Sequence, residues 1–177
     1  MGKYVRTISK SCLWGVDILT LIILGTQDKT FPRLLKAIER EMKKGNIKDK
    51  VIVQAGQTKY ESKNMEIFDF IEMNKFNSLL KEADLVITHG GVGTILSAIR
   101  LNKKVIAVPR LKKYMEHEND HQIQIVKEFD KLGYIKACLN LKKLDKILEE
   151  IKDFKPKKYK SNNNRMIKII ENYIDNI

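Results

Sequence analysis

Only two cysteines, Cys12 and Cys138, occur in 177 residues, and they form no Cys-x-x-Cys pair. That excludes a disulfide framework and a zinc-ligand spacing, and makes a reducing compartment the default. There is no His-x-His, no Asp-x-Asp and no cysteine cluster, so no metal site is expected. No apolar run reaches the ~20 residues that a bilayer-spanning helix needs. The longest apolar stretch, Cys12 to Leu24, is broken by Asp17. It follows Lys3, Arg6 and Lys10 much as the apolar region of a signal peptide follows its basic one. Yet Gly25-Thr26-Gln27-Asp28 offers no small-residue cleavage site, and cleavage there would remove a core strand. Internal repeats, low-complexity linkers and alternation of aromatic with basic residues are also missing, which sets nucleic acid aside as a partner.

What is present is the composition of one soluble globular domain, 43% apolar and 32% charged, with a net charge of +12. The lysines are spread along the chain, with clusters at Lys112-Lys113 and from Lys152 to Lys160. Such a balance suits an anionic membrane face or anionic substrates. Short apolar runs alternate with helical spacings throughout. Ile18 to Leu24 reads as the first strand. Thr30 reads as the cap of a helix that has Pro32 just inside its start and Phe31, Leu34, Leu35, Ile38 and Met42 inward. Val51 to Ala55 and Ile67 to Ile71 read as strands, Phe76 to Ala83 as a helix. Tyr134 to Ala137 reads as a last strand and Leu144 to Ile151 as a last packed helix. The alternation predicts an α/β domain with a doubly wound parallel sheet. Three turns leaving strand ends, Gly25-Thr26, Gly56-Gln57 and His89-Gly90-Gly91, are expected to line one crevice.

The central stretch, Ala83 to Gln122, carries the chemistry. Asp84 to Thr88 reads as a buried strand, His89-Gly90-Gly91-Val92-Gly93-Thr94 as a tight turn, and Ile95 to Leu101 as a helix. Free N–H groups and the positive end of a helix dipole make such a turn an anion site. Thr94 is expected at the helix start, its hydroxyl capping the helix or meeting a phosphate oxygen. Lys104 to Val108 is a further strand, and Pro109 closes it. Arg110 then stands beside the crevice, either pairing with a phosphate or simply solvated. A polar loop follows, with Glu116, His117 and Glu118 as possible contacts, and Asp120-His121-Gln122 begins the next helix, with Asp120 placed to cap it. This is not a dinucleotide fingerprint, because Leu96 occupies the place of the third glycine.

Thr88-His89-Gly90-Gly91-Val92-Gly93-Thr94, Val108-Pro109-Arg110 and Asp120-His121-Gln122, in that order, resemble the nucleotide-sugar half of GT-B glycosyltransferases. The likeness runs from about Ile18 to the C-terminus. It is nearest to the donor-binding subunit of two-part enzymes with a family 28 C-terminal domain. Those build eukaryotic lipid-linked oligosaccharides or bacterial capsule and exopolysaccharide units. The resemblance implies a Rossmann-like half of a GT-B fold that binds a UDP-sugar as substrate, without cofactor or metal. It implies that Gly25, Thr26, His89, Gly90, Gly91, Gly93, Thr94 and Arg110 surround the donor, with His89 near the diphosphate. Asp120, His121 and Gln122 would meet the donor sugar, Asp120 and Gln122 through its hydroxyls. Many relatives carry a carboxylate for the ribose three residues after the position of Thr94; here Ser97 stands there.

The resemblance further implies transfer of a hexose to a lipid-linked acceptor, with the acceptor site and membrane anchor on a partner subunit. The general base is not assigned. The chain would be cytoplasmic and reach the inner membrane face through that partner. Non-catalytic activation of a partner transferase is the alternative; an epimerase of the same fold would need more chain. Residues 1–17 are read as an extension of unassigned role and residues 18–153 as the nucleotide-sugar domain. Residues 154–177 are read as a basic tether and a helix, Arg165 to Ile177, with Ile167, Ile170, Ile174 and Ile177 in one stripe.

Overall fold

The computed structural model describes residues 18–160. Six parallel strands form one sheet: β1 (Leu19–Ile23), β2 (Lys50–Gln54), β3 (Glu66–Phe68), β4 (Leu85–Thr88), β5 (Lys104–Ala107) and β6 (Lys136–Ala137), in the order β3-β2-β1-β4-β5-β6. β1 lies at the centre. It pairs Leu21 with Ile52 on one side and with Val86 on the other. All five of its residues are buried, as a continuous apolar run in a doubly covered sheet must be. One face is covered by α1 (Pro32–Lys43) and α5 (Leu144–Asp153), through Leu34, Leu35, Ile38, Leu148 and Ile151. The other is covered by α2 (Met73–Glu82), α3 (Val92–Arg100) and α4 (His121–Lys131), through Leu80, Ile95, Ile99, Val126 and Phe129. The predicted doubly wound α/β architecture is therefore present. Its winding reverses between β1 and β4, which places a ligand crevice at their C-terminal ends.

Several local expectations are corrected. The cap of α1 is Phe31, not Thr30. No side chain caps the helix, and the N–H of Phe31 itself donates to the Thr58 hydroxyl at 2.9 Å. α3 begins at Val92, so Thr94 lies inside its first turn, and Gly91 at the cap position offers no side chain. β3 spans three residues rather than five, since beyond Phe68 the chain turns to meet the Glu72 carboxylate that caps α2. Residues 154–160, read as tether, rest on the domain. The Lys157 N–H donates to the Gly133 carbonyl at 2.9 Å and Tyr159 meets Tyr134 edge-on at 5.8 Å. The Ile-striped helix and residues 1–17 lie outside the described residues. Among the described residues, no helix is long and apolar enough to cross a membrane.

Candidate functional site

Three turns meet where the winding reverses. The β1–α1 turn carries Gly25 with φ +84°, a backbone that an L side chain rarely adopts. A Cβ at Gly25 would also stand 2.7 Å from the His89 ring, and one at Gly91 would stand 2.5 Å from it. The imidazole thus fills space that a side chain at either glycine would need. Its Nδ1 lies 3.3 Å from the Ile23 carbonyl, which only accepts, and 3.4 Å from the Thr88 hydroxyl, which can donate or accept; the carbonyl contact favours the tautomer with the proton on Nδ1 and the lone pair on Nε2. His89 is 7% exposed. Burial, and secondarily the Arg110 cation, push its pKa down to about 4, so it is neutral at physiological pH.

The first turn of α3 is open. Gly91 supplies no side-chain cap, and the first intrahelical bond runs from the Ile95 N–H to the Gly91 carbonyl. The N–H groups of Val92, Gly93 and Thr94 therefore face outward from the N-terminus of the helix. A Cβ on Gly93 would meet nothing within 4 Å, so that residue leaves the approach clear. Ser97, one turn on, is exposed, and its hydroxyl donates back to the Gly93 carbonyl at 2.9 Å.

The β5–α4 loop supplies the third wall. Arg110 is not solvated: at 1% exposure it is the largest fully buried side chain among the described residues. One Nη donates to the Leu24 carbonyl at 2.6 Å and the other reaches the Gln27 Oε1 at 3.4 Å, while Nε is buried without a partner. Gln122 is also buried, and its Oε1 accepts the Arg110 N–H at 3.0 Å. That bond ties the loop to α4 and places Gln122 against Gly90, and it leaves the amide nitrogen of Gln122 and the second lone pair of its Oε1 for a ligand. Asp120 holds the cap position of α4 without capping it. Its carboxylate accepts the Lys112 N–H at 2.9 Å instead, and the His121 N–H turns to the Asn119 side chain at 3.3 Å. Gly25, His89, Gly90, Gly91 and Arg110 are gathered closely. Thr26 and Asp120 are exposed.

One pair lay beyond sequence reasoning. Arg33 grips Glu116 in a bidentate ion pair, Nε to Oε1 and Nη2 to Oε2, both at 2.8 Å. Glu116 also accepts the Leu111 N–H at 3.1 Å. Arg33 stands off the apolar stripe of α1, and its partner is 83 positions away, so no local spacing announces it.

The profile of the glycosyltransferase family 28 C-terminal domain matches residues 20–177. The chain belongs to that family. The UDP-N-acetylglucosamine transferase subunit ALG13 of Debaryomyces hansenii is 31% identical over 120 residues, covering 68% of this chain and 52% of that one. The subunit of the same name from Saccharomyces cerevisiae is 40% identical over 72 residues, 40% of this chain and 33% of that one. The chain thus spans about half the length of the first of these. An NMR structure of ALG13 superposes with a TM-score of 0.55 at 21% identity, over 86% of this chain and 94% of that one. MurG of Acinetobacter baumannii does so at 0.57 and 19% identity, over 79% and 43%. At such identities the superpositions establish the fold, which is the Rossmann-like half of a GT-B glycosyltransferase.

Proposed function

We propose that this family 28 domain is the donor-binding subunit of a UDP-sugar-dependent glycosyltransferase acting on a lipid-linked acceptor with a membrane-associated partner subunit. One observation carries the donor assignment. Arg110 is a buried cation, and among the described residues no carboxylate is in ion-pair contact with it and no atom bonds its Nε. Burial disfavours the charge, Glu116 and Asp28 offset part of that from beyond ion-pair distance, and an anion in the crevice would relieve the rest. The uncapped turn of α3 supplies N–H donors to the same space. A diphosphate fits that demand: its oxygens take the N–H groups and the field of Arg110, which also stabilise the charge that develops as the sugar–phosphate bond breaks. The yeast relatives, named UDP-N-acetylglucosamine transferase subunits, favour uridine and a hexosamine. The Gln122 amide and the second Asp120 oxygen are the groups proposed for the sugar hydroxyls.

Calorimetry with UDP tests this. The intact protein should bind, and Arg110→Met should weaken binding by 10- to 100-fold, about 1.5–3 kcal/mol for a charged contact. A folded wild-type chain that ignores UDP, alone and with its partner, would move the reading to a non-catalytic activator. Unchanged affinity in Arg110→Met would leave the diphosphate to the turn alone.

A further inference from the structure

A second feature lies on the same edge of the sheet, on the side of α1 and α5. There α1, the loop after β5 and the loop after β6 enclose a cleft of about 730 Å³. Its walls carry Arg33, Lys36, Arg40, Lys113 and Lys142, against the single carboxylate of Glu116. Glu116 is 3% exposed and committed on both oxygens to Arg33, so it does not neutralise the lysines. Arg40 is held by Glu41 and the Leu141 carbonyl. Among the described residues, Lys36, Lys113 and Lys142 have no carboxylate in ion-pair contact, and all three are exposed.

The same rim holds apolar side chains in water. Tyr114 is 49% exposed, Met115 85% and Leu139 42%, three of the seven large apolar side chains exposed among the described residues. Tyr114 and Leu139 line the cleft, and Met115 follows Tyr114 at the tip of a short 3₁₀ turn. A soluble anion would account for the lysines but not for the apolar tip. Cations without carboxylate partners, Lys113 lying 4.9 Å from the centre of the Tyr114 ring, beside projecting apolar groups match the charge and polarity profile of an anionic bilayer interface. We propose that this edge of the domain is a contact surface for anionic phospholipid. Lys36, Lys113 and Lys142 meet the lipid phosphates while Tyr114, Met115 and Leu139 enter the interface. The contact orients the domain and adds to the anchor proposed for the partner. It stands independently of the donor assignment.

The test is flotation of the intact chain with vesicles of phosphatidylcholine, alone or mixed with phosphatidylglycerol, at low and high salt. Binding is expected only to the anionic vesicles and should fall as salt rises. Changing Lys36, Lys113 and Lys142 together to Gln should reduce partitioning about fivefold per lysine, near 100-fold in all. The same change at Lys81, Lys127 and Lys131, on the opposite face, should reduce it far less. Met115→Asn should weaken the salt-resistant part of binding, since its φ of +57° suits Asn and the fold is spared. UDP affinity should be unchanged in every variant. Equal losses from the two lysine sets would show that net charge, not this surface, drives binding and would overturn the proposal. So would absence of flotation, or oligonucleotide binding that the cleft variant alone abolishes.

Discussion

Two arginines set by the same loop have opposite fates. Arg33 faces Glu116 across two 2.8 Å bonds, its charge is matched, and its guanidinium also lies 4.6 Å from the centre of the Tyr114 ring. Arg110 is deeper, spends its Nη groups on a carbonyl and an amide oxygen, and leaves Nε bare. A protein that needs Arg33 for architecture gives it a carboxylate. One that keeps Arg110 buried with only the longer-range fields of Glu116 and Asp28, and no carboxylate in contact, leaves part of its desolvation cost unmet at the mouth of a crevice. The difference separates structure from site more sharply than burial does, since both side chains are largely covered.

The strongest way to break the comparison is to remove the matched partner. Glu116→Ala strands Arg33 and the Leu111 N–H. It should lower stability by about 2–3 kcal/mol, less than breaking a fully buried pair does, because Arg33 is part-buried and keeps the Pro109 carbonyl. Urea unfolding checks the loss, and UDP binding by the remaining folded protein should be retained. A loss below about 1 kcal/mol would class the pair with exposed salt bridges.

A comparable effect reads the Arg110 charge through its neighbour. The unfolded chain protonates His89 near pH 6.5 and the folded chain only near pH 4, so the unfolded state binds the proton first. Stability from this residue is therefore complete above about pH 6.5 and is lost as pH falls towards 4, by about 3 kcal/mol at most. In Arg110→Met the second cause of the depressed pKa is gone, so the acid loss should shrink. Arg110→Met should also be as stable as wild type or more so at neutral pH, because the variant no longer buries a charge that lacks a carboxylate in contact. Thermal melts across pH 4–7 on both proteins check this, and an identical acid slope would deny the coupling. His89→Asn sharpens the point further. An Asn amide can replace the Nδ1 donor to the Ile23 carbonyl but not Nε2, so weaker UDP binding in a folded variant would assign Nε2 to the ligand.

Much of this architecture was legible in sequence because its signals are local. The continuous run from Leu19 places a central strand, and the Gly-rich turn before Ile95 places the start of a helix at a strand end; both stand in the structure. What was not legible depends on distant partners. Arg110 reads as exposed by residue type, and only the closure of the β1–α1 turn over it, 86 positions upstream, buries it. Thr30 and Asp120 look like caps from neighbouring residues alone, yet the Thr58 hydroxyl takes the Phe31 N–H and Asp120 is drawn to the Lys112 N–H. Gln122 follows the same rule: its position on α4 was legible, while the use of its Oε1 as a loop clasp came from the fold.

The smallest expected effect concerns Ser97. Its hydroxyl bonds within α3, so it offers a ribose only its lone pairs unless that bond breaks. Ser97→Glu adds a side chain at an exposed position that faces water, so folding should be little changed. If the ribose lies along this turn, the carboxylate accepts both its hydroxyls, and UDP should bind severalfold tighter, about 1 kcal/mol for the hydrogen bonds gained. The gain should shrink with 2′-deoxy-UDP, which keeps the diphosphate and the 3′-hydroxyl and loses the 2′-hydroxyl. In Arg110→Met the gain should persist on a weaker baseline, because the two contacts touch separate parts of the nucleotide and add independently. A gain that also disappears in Arg110→Met would mean that the new carboxylate acts by pairing with the buried cation, not by meeting the sugar.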